Sequence, residues 1–248
     1  MNIYRLPVVV MAALSGALPG LAQGKDWTGP YAGIYGEANQ SKAEFEDIGC
    51  WYACTTASTQ GVKAAAGVTI GYDAQVDENF VIGVAGDIGS GFRQRTVIGG
   101  IDSPSDVAVT IESKVAFQAS VRARAGLTTG NTMIYASVGS AFAKGRRAAE
   151  VRDFVANGES LASTPNYSAT WNGTASGLIL GGGIEHRFKN LSMRIEAVHV
   201  QFSRSTACSA DGSGPNAGKC WDTVNYVPAL VIGSLSTTSV RLGLNFRI

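Results

Sequence analysis

Histidine and cysteine, the side chains that most often carry chemistry at neutral pH, are scarce. The sequence holds His186, His199, Cys50, Cys54, Cys208 and Cys220. An even number of cysteines in an exported chain points to disulfides. Four allow three pairings, of which the local one, Cys50 with Cys54 and Cys208 with Cys220, is preferred. Zinc fits less well, because CxxxC and Cx11C are not finger spacings and no histidine lies near them in sequence. A His199–Ser203 nucleophile pair would share one strand face but sit about 13 Å apart at ~3.3 Å per residue. The richer chemistry is ionic. Glu37, Asp73, Asp87, Glu185 and Glu196 stand against Arg122, Arg124, Arg187, Arg194, Arg241 and Arg247, each embedded in an alternating apolar run. That placement predicts ion pairing across one enclosed face.

The elements that position those charges are β-strands. Apolar and polar residues alternate at period two, the signature of a strand with unlike faces. Eight runs are predicted, near 31–40, 64–73, 80–91, 115–128, 132–144, 175–188, 191–202 and 238–248. In the last, Val240, Leu242, Leu244, Phe246 and Ile248 share one face and Arg241, Gly243, Asn245 and Arg247 the other. The seventh begins equally well and blurs from Val198 to Phe202. Three connections are short: Asp77-Glu78-Asn79, Thr129-Gly130-Asn131 and Lys189-Asn190, all turn formers. Four are long, about 46–62, 93–113, 147–172 and 204–236, and short and long alternate. No proline falls inside a predicted strand, where it would remove a ladder hydrogen bond.

The first 22 residues read as a cleaved secretory signal. Arg5 supplies the positive start, Leu6 to Leu18 is almost wholly apolar, and Gly20-Leu21-Ala22 offers the small residues of a cleavage site. Residues 23–248 then form one β-barrel domain. Arg5 is the signal's only charge, so cleavage takes Lys+Arg from 20 to 19 against 19 Asp+Glu. A chain near neutrality has no cationic surplus for nucleic acid. No later apolar run of about 20 residues predicts a transmembrane helix. A membrane protein built without helices must be a closed barrel.

Alternation alone serves a soluble barrel equally well. Three features favour the membrane: the alternation of short turns with long loops, balanced charges that a narrow interior could pair, and a chain that ends on its last strand. The expected fold is therefore all-β, a transmembrane up-and-down antiparallel barrel of about eight strands, or ten if a loop hides a hairpin. Short turns face the periplasm and long loops the exterior. Eight strands leave an interior just wide enough for side chains to fill, so a plugged lumen is expected.

Several segments resemble the small porin-like outer-membrane β-barrel family of Gram-negative bacteria, the surface-antigen type. Asp26-Trp27-Thr28-Gly29-Pro30-Tyr31-Ala32-Gly33 is similar to its opening strand, and Phe117 to Phe142 to its fourth strand, turn and fifth strand. Gly181-Gly182-Gly183-Ile184-Glu185, Arg194-Ile195-Glu196 and Val240 to Ile248 resemble later strands. The likeness covers the strands and not the loops. It implies a non-enzymatic envelope protein in the outer membrane, structural in role, with loops that bind a ligand or host surface. Its partners would be outer-membrane lipid, lipopolysaccharide and the barrel-assembly machinery. No cofactor is assigned. Some relatives are implicated in haem binding, which would make His199 the axial-ligand candidate; a lone surface histidine is more often only that. A narrow porin-like channel is the other alternative. A lipid A-modifying enzyme fits less, because His199-Val200-Gln201-Phe202-Ser203 departs from the His-x-Ser of small-barrel deacylases. Such barrels usually end on an aromatic residue as an assembly signal; here Phe246 and Ile248 stand in that place. Trp51, Tyr52, Tyr167, Trp171, Trp221 and Tyr226 lie in or near the predicted loops, as interface anchors or as contact surface.

Overall fold

The computed structural model describes residues 26–48, 56–98, 107–153, 167–203 and 229–247. Nine strands run β1 Gly29–Ile48, β2 Thr56–Asp77, β3 Phe80–Ser90, β4 Arg93–Ile98, β5 Val107–Thr129, β6 Thr132–Asp153, β7 Tyr167–Phe188, β8 Leu191–Phe202 and β9 Ala229–Arg247. All pair antiparallel with their neighbours, and β1 also pairs with β9. The ring closes where β3 pairs with β5, from Phe80↔Leu127 to Ser90↔Phe117. β4 continues the same wall position, from Arg93↔Lys114 upward. Eight wall positions therefore close on themselves. At the level of β3 each is paired on both sides, so the wall there has no room for the further hairpin of a ten-stranded barrel.

The break between β3 and β4 faces a bulge between Val115 and Phe117 in β5. Gly91 donates its N–H to Ala116 O at 3.1 Å, and Val115 donates to Phe92 O at 2.8 Å. Both strands change parity at this level, so Phe92 and Gln94 follow Gly89 inward on one, and Val115 and Ser113 follow Gln118 inward on the other. A Cβ at position 91 would lie 1.9 Å from Val115 O, so only glycine allows so close an approach.

The three short turns fall at 78–79, 130–131 and 189–190, where the sequence predicts them. Gly130 and Lys189 take positive φ of 58° and 55°. The long connections need correction. The ladders run well past the predicted strand ends: β1 and β2 pair up to Glu46↔Thr56, and β5 and β6 up to Val107↔Asp153. The connections thus narrow to 49–55, 99–106, 154–166 and 204–228, outside the described residues. Alternation fades in these upper strand ends because neither face there must be apolar, while the backbone ladder needs no side-chain pattern. Pro30 pairs only toward β2, opposite Tyr72; the ladder to β9 begins one residue later at Tyr31, so its missing N–H interrupts nothing.

Candidate functional site

Side chains that point into the ring form three stacked levels. At the short-turn end, Trp27, just before β1, folds under the barrel with no exposed surface. Its backbone N–H donates to Gln75 Oε1 at 2.9 Å, its backbone carbonyl accepts from Arg247 Nη1 at 2.9 Å, and the Arg247 guanidinium lies 4.7 Å from its ring centre. Val81, Met133 and Tyr135 complete this floor. Asp26 beside it is held below the usual carboxylate pKa range by hydrogen bonds from the Thr28 hydroxyl and backbone N–H.

Above the floor lie two tiers of charge. In the lower, Arg124 Nε donates to Asp73 Oδ1 at 2.7 Å and its Nη1 to Glu185 Oε2 at 3.0 Å. Arg247 Nη2 reaches Asp73 Oδ2 at 2.6 Å and Glu185 Oε1 at 3.3 Å. Ser192 and Asn245 also donate to Glu185 Oε1, at 2.5 and 3.2 Å. Arg124 lies between the Tyr31 and Tyr135 rings, 4.7 and 5.2 Å from their centres. In the upper tier, Arg122 bonds Asp87 Oδ2 at 2.8 Å and Glu196 Oε1 at 2.6 Å. Arg241 Nε donates to Glu37 Oε2 at 2.7 Å and stacks 4.7 Å from the Tyr35 ring centre. Arg194 Nη2 is 3.7 Å from Asp87 Oδ1. The links from β5 to β2 and from β5 to β8 cross the lumen, joining strands that share no ladder. Guanidinium forks suit such pairing, because their donors can meet two carboxylates and their flat faces can stack on aromatic rings.

Ten of the eleven charges singled out in the sequence meet in these two tiers. Arg187 does not join them. It lies at the rim, where its Nε donates to Lys189 O at 2.8 Å and its Nη1 to Asp26 O, because its strand ends one residue later.

The third level is mostly apolar, with Ser41, Gln94, Ser113 and Thr237 among its buried polar side chains. Phe92, Ile111, Val115, Ile179, Val198, Val200, Phe202 and Leu235 pack together inside the ring with several alanines, and Trp171 rests against them. This explains the blurred run from Val198 to Phe202: Val198, Val200 and Phe202 face an apolar lumen. Trp171, expected near a loop, instead points inward from β7, with the Arg147 guanidinium 5.4 Å from its ring centre. Two lumenal cavities, one lined by Tyr35, Asp87 and Ser120 and the other by Ser113, Val115 and Trp171, each measure about 10 Å³, about the space of one water.

The outward face is the inverse of the lumen. Ile34, Leu127, Ile134 and Leu242 are 61, 65, 63 and 63 % exposed. On β5 the apolar outward residues run from Phe117 to Leu127, roughly 33 Å of strand, which at barrel tilt spans about the 25 Å of a bilayer's apolar band. Phe80, Phe188 and Phe246 ring the short-turn end, and Phe117 and Phe142 mark the other. An apolar band of this height is costly against water and favourable against lipid.

This chain is a transmembrane β-barrel. Even-stranded, single-chain barrels of this kind belong to the bacterial outer membrane, with short turns in the periplasm. No protein-family model matches the sequence, and no curated protein does. Among solved structures it is similar to Ail, the attachment invasion locus protein of Yersinia pestis, at 12 % identity and a TM-score of 0.37, covering 89 % of this chain and 99 % of that one. It is similar to the outer membrane protein OprG of Pseudomonas aeruginosa at 12 % identity and 0.46, covering 91 % and 98 %. Neisserial surface protein A follows at 11 % and 0.34, covering 87 % and 97 %.

Both histidines lie on the outer wall of the barrel. His186 Nδ1 is 2.8 Å from the Thr132 hydroxyl and its ring meets Phe188 edge-on. His199 Nδ1 is 2.9 Å from the Thr238 hydroxyl. Phe246 faces outward, opposite Ala32 and Leu191. The four cysteines, the signal segment, Ile248 and the aromatics Trp51, Tyr52, Trp221 and Tyr226 lie outside the described residues; Tyr167 opens β7. Sequence reasoning missed Trp27 as the floor of the lumen. Its signal was an aromatic residue placed directly before the first strand.

Proposed function

We propose that this chain is a non-enzymatic structural protein of the outer membrane. It contributes to envelope integrity as a sealed cylinder and holds its extracellular connections on a rigid rim, where they meet a ligand or host surface. The observation that carries this reading is the filled lumen: an aromatic floor, two tiers of ion pairs and an apolar cap, with cavities of about 10 Å³. A concavity of about 770 Å³, lined by Tyr72, Ile82, Val84, Ala123 and Leu180 among others, opens on the outer wall instead. It faces lipid and offers no path through the protein. The placement of the histidines supports a role without catalysis, since each is tied to a threonine on the outer wall. Its partners are outer-membrane lipid, lipopolysaccharide and, during biogenesis, the assembly machinery.

Planar-bilayer recording of the purified full chain tests this reading. A sealed lumen gives a silent membrane. Discrete, reproducible conductance steps would replace it with a porin.

A further inference from the structure

At three neighbouring wall positions (β3 with β4, β5, and β6), the outward face changes from apolar to cationic at one level. Ile88 on β3, Phe117 on β5 and Phe142 on β6 are the last large apolar residues below the change, and among the described residues Val97 on β4 is exposed again above it. Just above them come Arg93, Lys114 and Arg146, all exposed. These three stand directly opposite one another across the ladder, Arg93↔Lys114 and Lys114↔Arg146. Directly opposed side chains begin about 5 Å apart, and like charges so placed repel. Arg95 and Lys144 extend the patch on the same face. Five cations thus meet two carboxylates, Glu112 and Glu150, and Arg93 pairs with Glu112 at 3.0 Å. A groove of about 300 Å³ runs between Arg93, Arg95, Glu112 and Arg146. The next strand carries none of this: opposite Lys144 and Arg146, β7 presents Thr174 and Asn172.

We propose that this one-sided patch binds the phosphate groups of an outer-leaflet glycolipid, with Arg93, Lys114 and Arg146 as the contacting cations. Arg146 lies four residues beyond Phe142, about 13 Å along the strand, which lifts it from the hydrocarbon into the headgroup layer. The side chains point away from the lumen, so the positive charge that Glu112 and Glu150 leave unbalanced is met from the surrounding leaflet. A phosphate set among the three relieves their mutual repulsion and takes charge-assisted hydrogen bonds. Glu112 fixes Arg93 at the edge of the groove. The site rests on the envelope-barrel reading above but not on its sealed lumen, because conductance and lipid binding are separate measurements.

The test compares the full-length folded barrel with R93Q/K114Q/R146Q in a zwitterionic detergent. Diphosphoryl lipid A, its dephosphorylated form and inorganic phosphate are the probes, and native mass spectrometry is the readout. The wild type should bind diphosphoryl lipid A at least about tenfold more tightly than the variant, as expected for the loss of even one charge-assisted contact. The dephosphorylated lipid should bind both proteins alike. Without lipid, the variant should resist urea to within about 1 kcal/mol of the wild type, since it loses like-charge repulsion together with one exposed ion pair, Arg93–Glu112; with lipid A, the wild type alone should gain resistance. Equal binding of lipid A by both proteins would overturn the site. Inorganic phosphate protecting as well as lipid A at equal concentration would overturn the assignment to a lipid. Heat-modifiable migration reports folding, and Lys114→Gln, the centre of the row, provides the same comparison should the triple variant assemble poorly.

Discussion

Replacing Glu185 by Gln probes the lower charge tier with almost no change of shape. Glu185 has no exposed surface and shares Arg124 and Arg247 with Asp73. The tier is neutral, with two guanidiniums and two carboxylates. The substitution would leave two cations on one carboxylate. Ser192 and Asn245 can still donate to the amide oxygen if it takes the Oε1 position. The amide nitrogen would then face Arg124 Nη1, 3.0 Å from the atom it replaces, donor against donor. Breaking one partner of a buried pair costs about 3–5 kcal/mol, or roughly two to four powers of ten in the folding equilibrium. Urea titration of the barrel in lipid vesicles, followed by tryptophan fluorescence and heat-modifiable migration, measures this. Glu112→Gln, at an ion pair whose arginine is 65 % exposed, should change stability by no more than about 1 kcal/mol. The double variant Glu185→Gln/Arg247→Gln restores neutrality and should recover part of the loss, because the two residues are coupled. A Glu185→Gln loss no larger than that of Glu112→Gln would refute the claim that the lumen is held by mutual charge satisfaction.

Two further outcomes are expected. Leu242→Arg, at a 63 % exposed outward position in the middle of the β9 apolar row, should cost about 2–4 kcal/mol in lipid vesicles; a negligible cost would show that this face meets water. Deleting Phe246–Ile248 removes the outward aromatic that ends β9 and its pairing with Leu191; it should abolish outer-membrane insertion, read as loss of the heat-modifiable species in membrane fractions.

The sequence alone determined the wall within the bilayer. Lipid outside and charge inside force strict alternation, so runs such as Val240 to Arg247 declared both their strand and their two faces. The turn residues Gly130 and Lys189-Asn190 marked where the chain reverses. Alternation also gathered the acids and arginines onto one face. What it could not decide was which of them meet. Arg124 finds Asp73 from 51 residues away and Arg122 finds Glu196 from 74, across a lumen whose geometry exists only once β3 pairs with β5. Ring closure likewise stopped Arg187 at the rim and tucked Trp27 under the floor. The upper strand ends and the apolar lumenal level were illegible for a related reason. Above the bilayer the two faces need not differ, so Val198, Val200 and Phe202 read as a fading strand until the closed ring showed that all three point into an apolar part of the lumen.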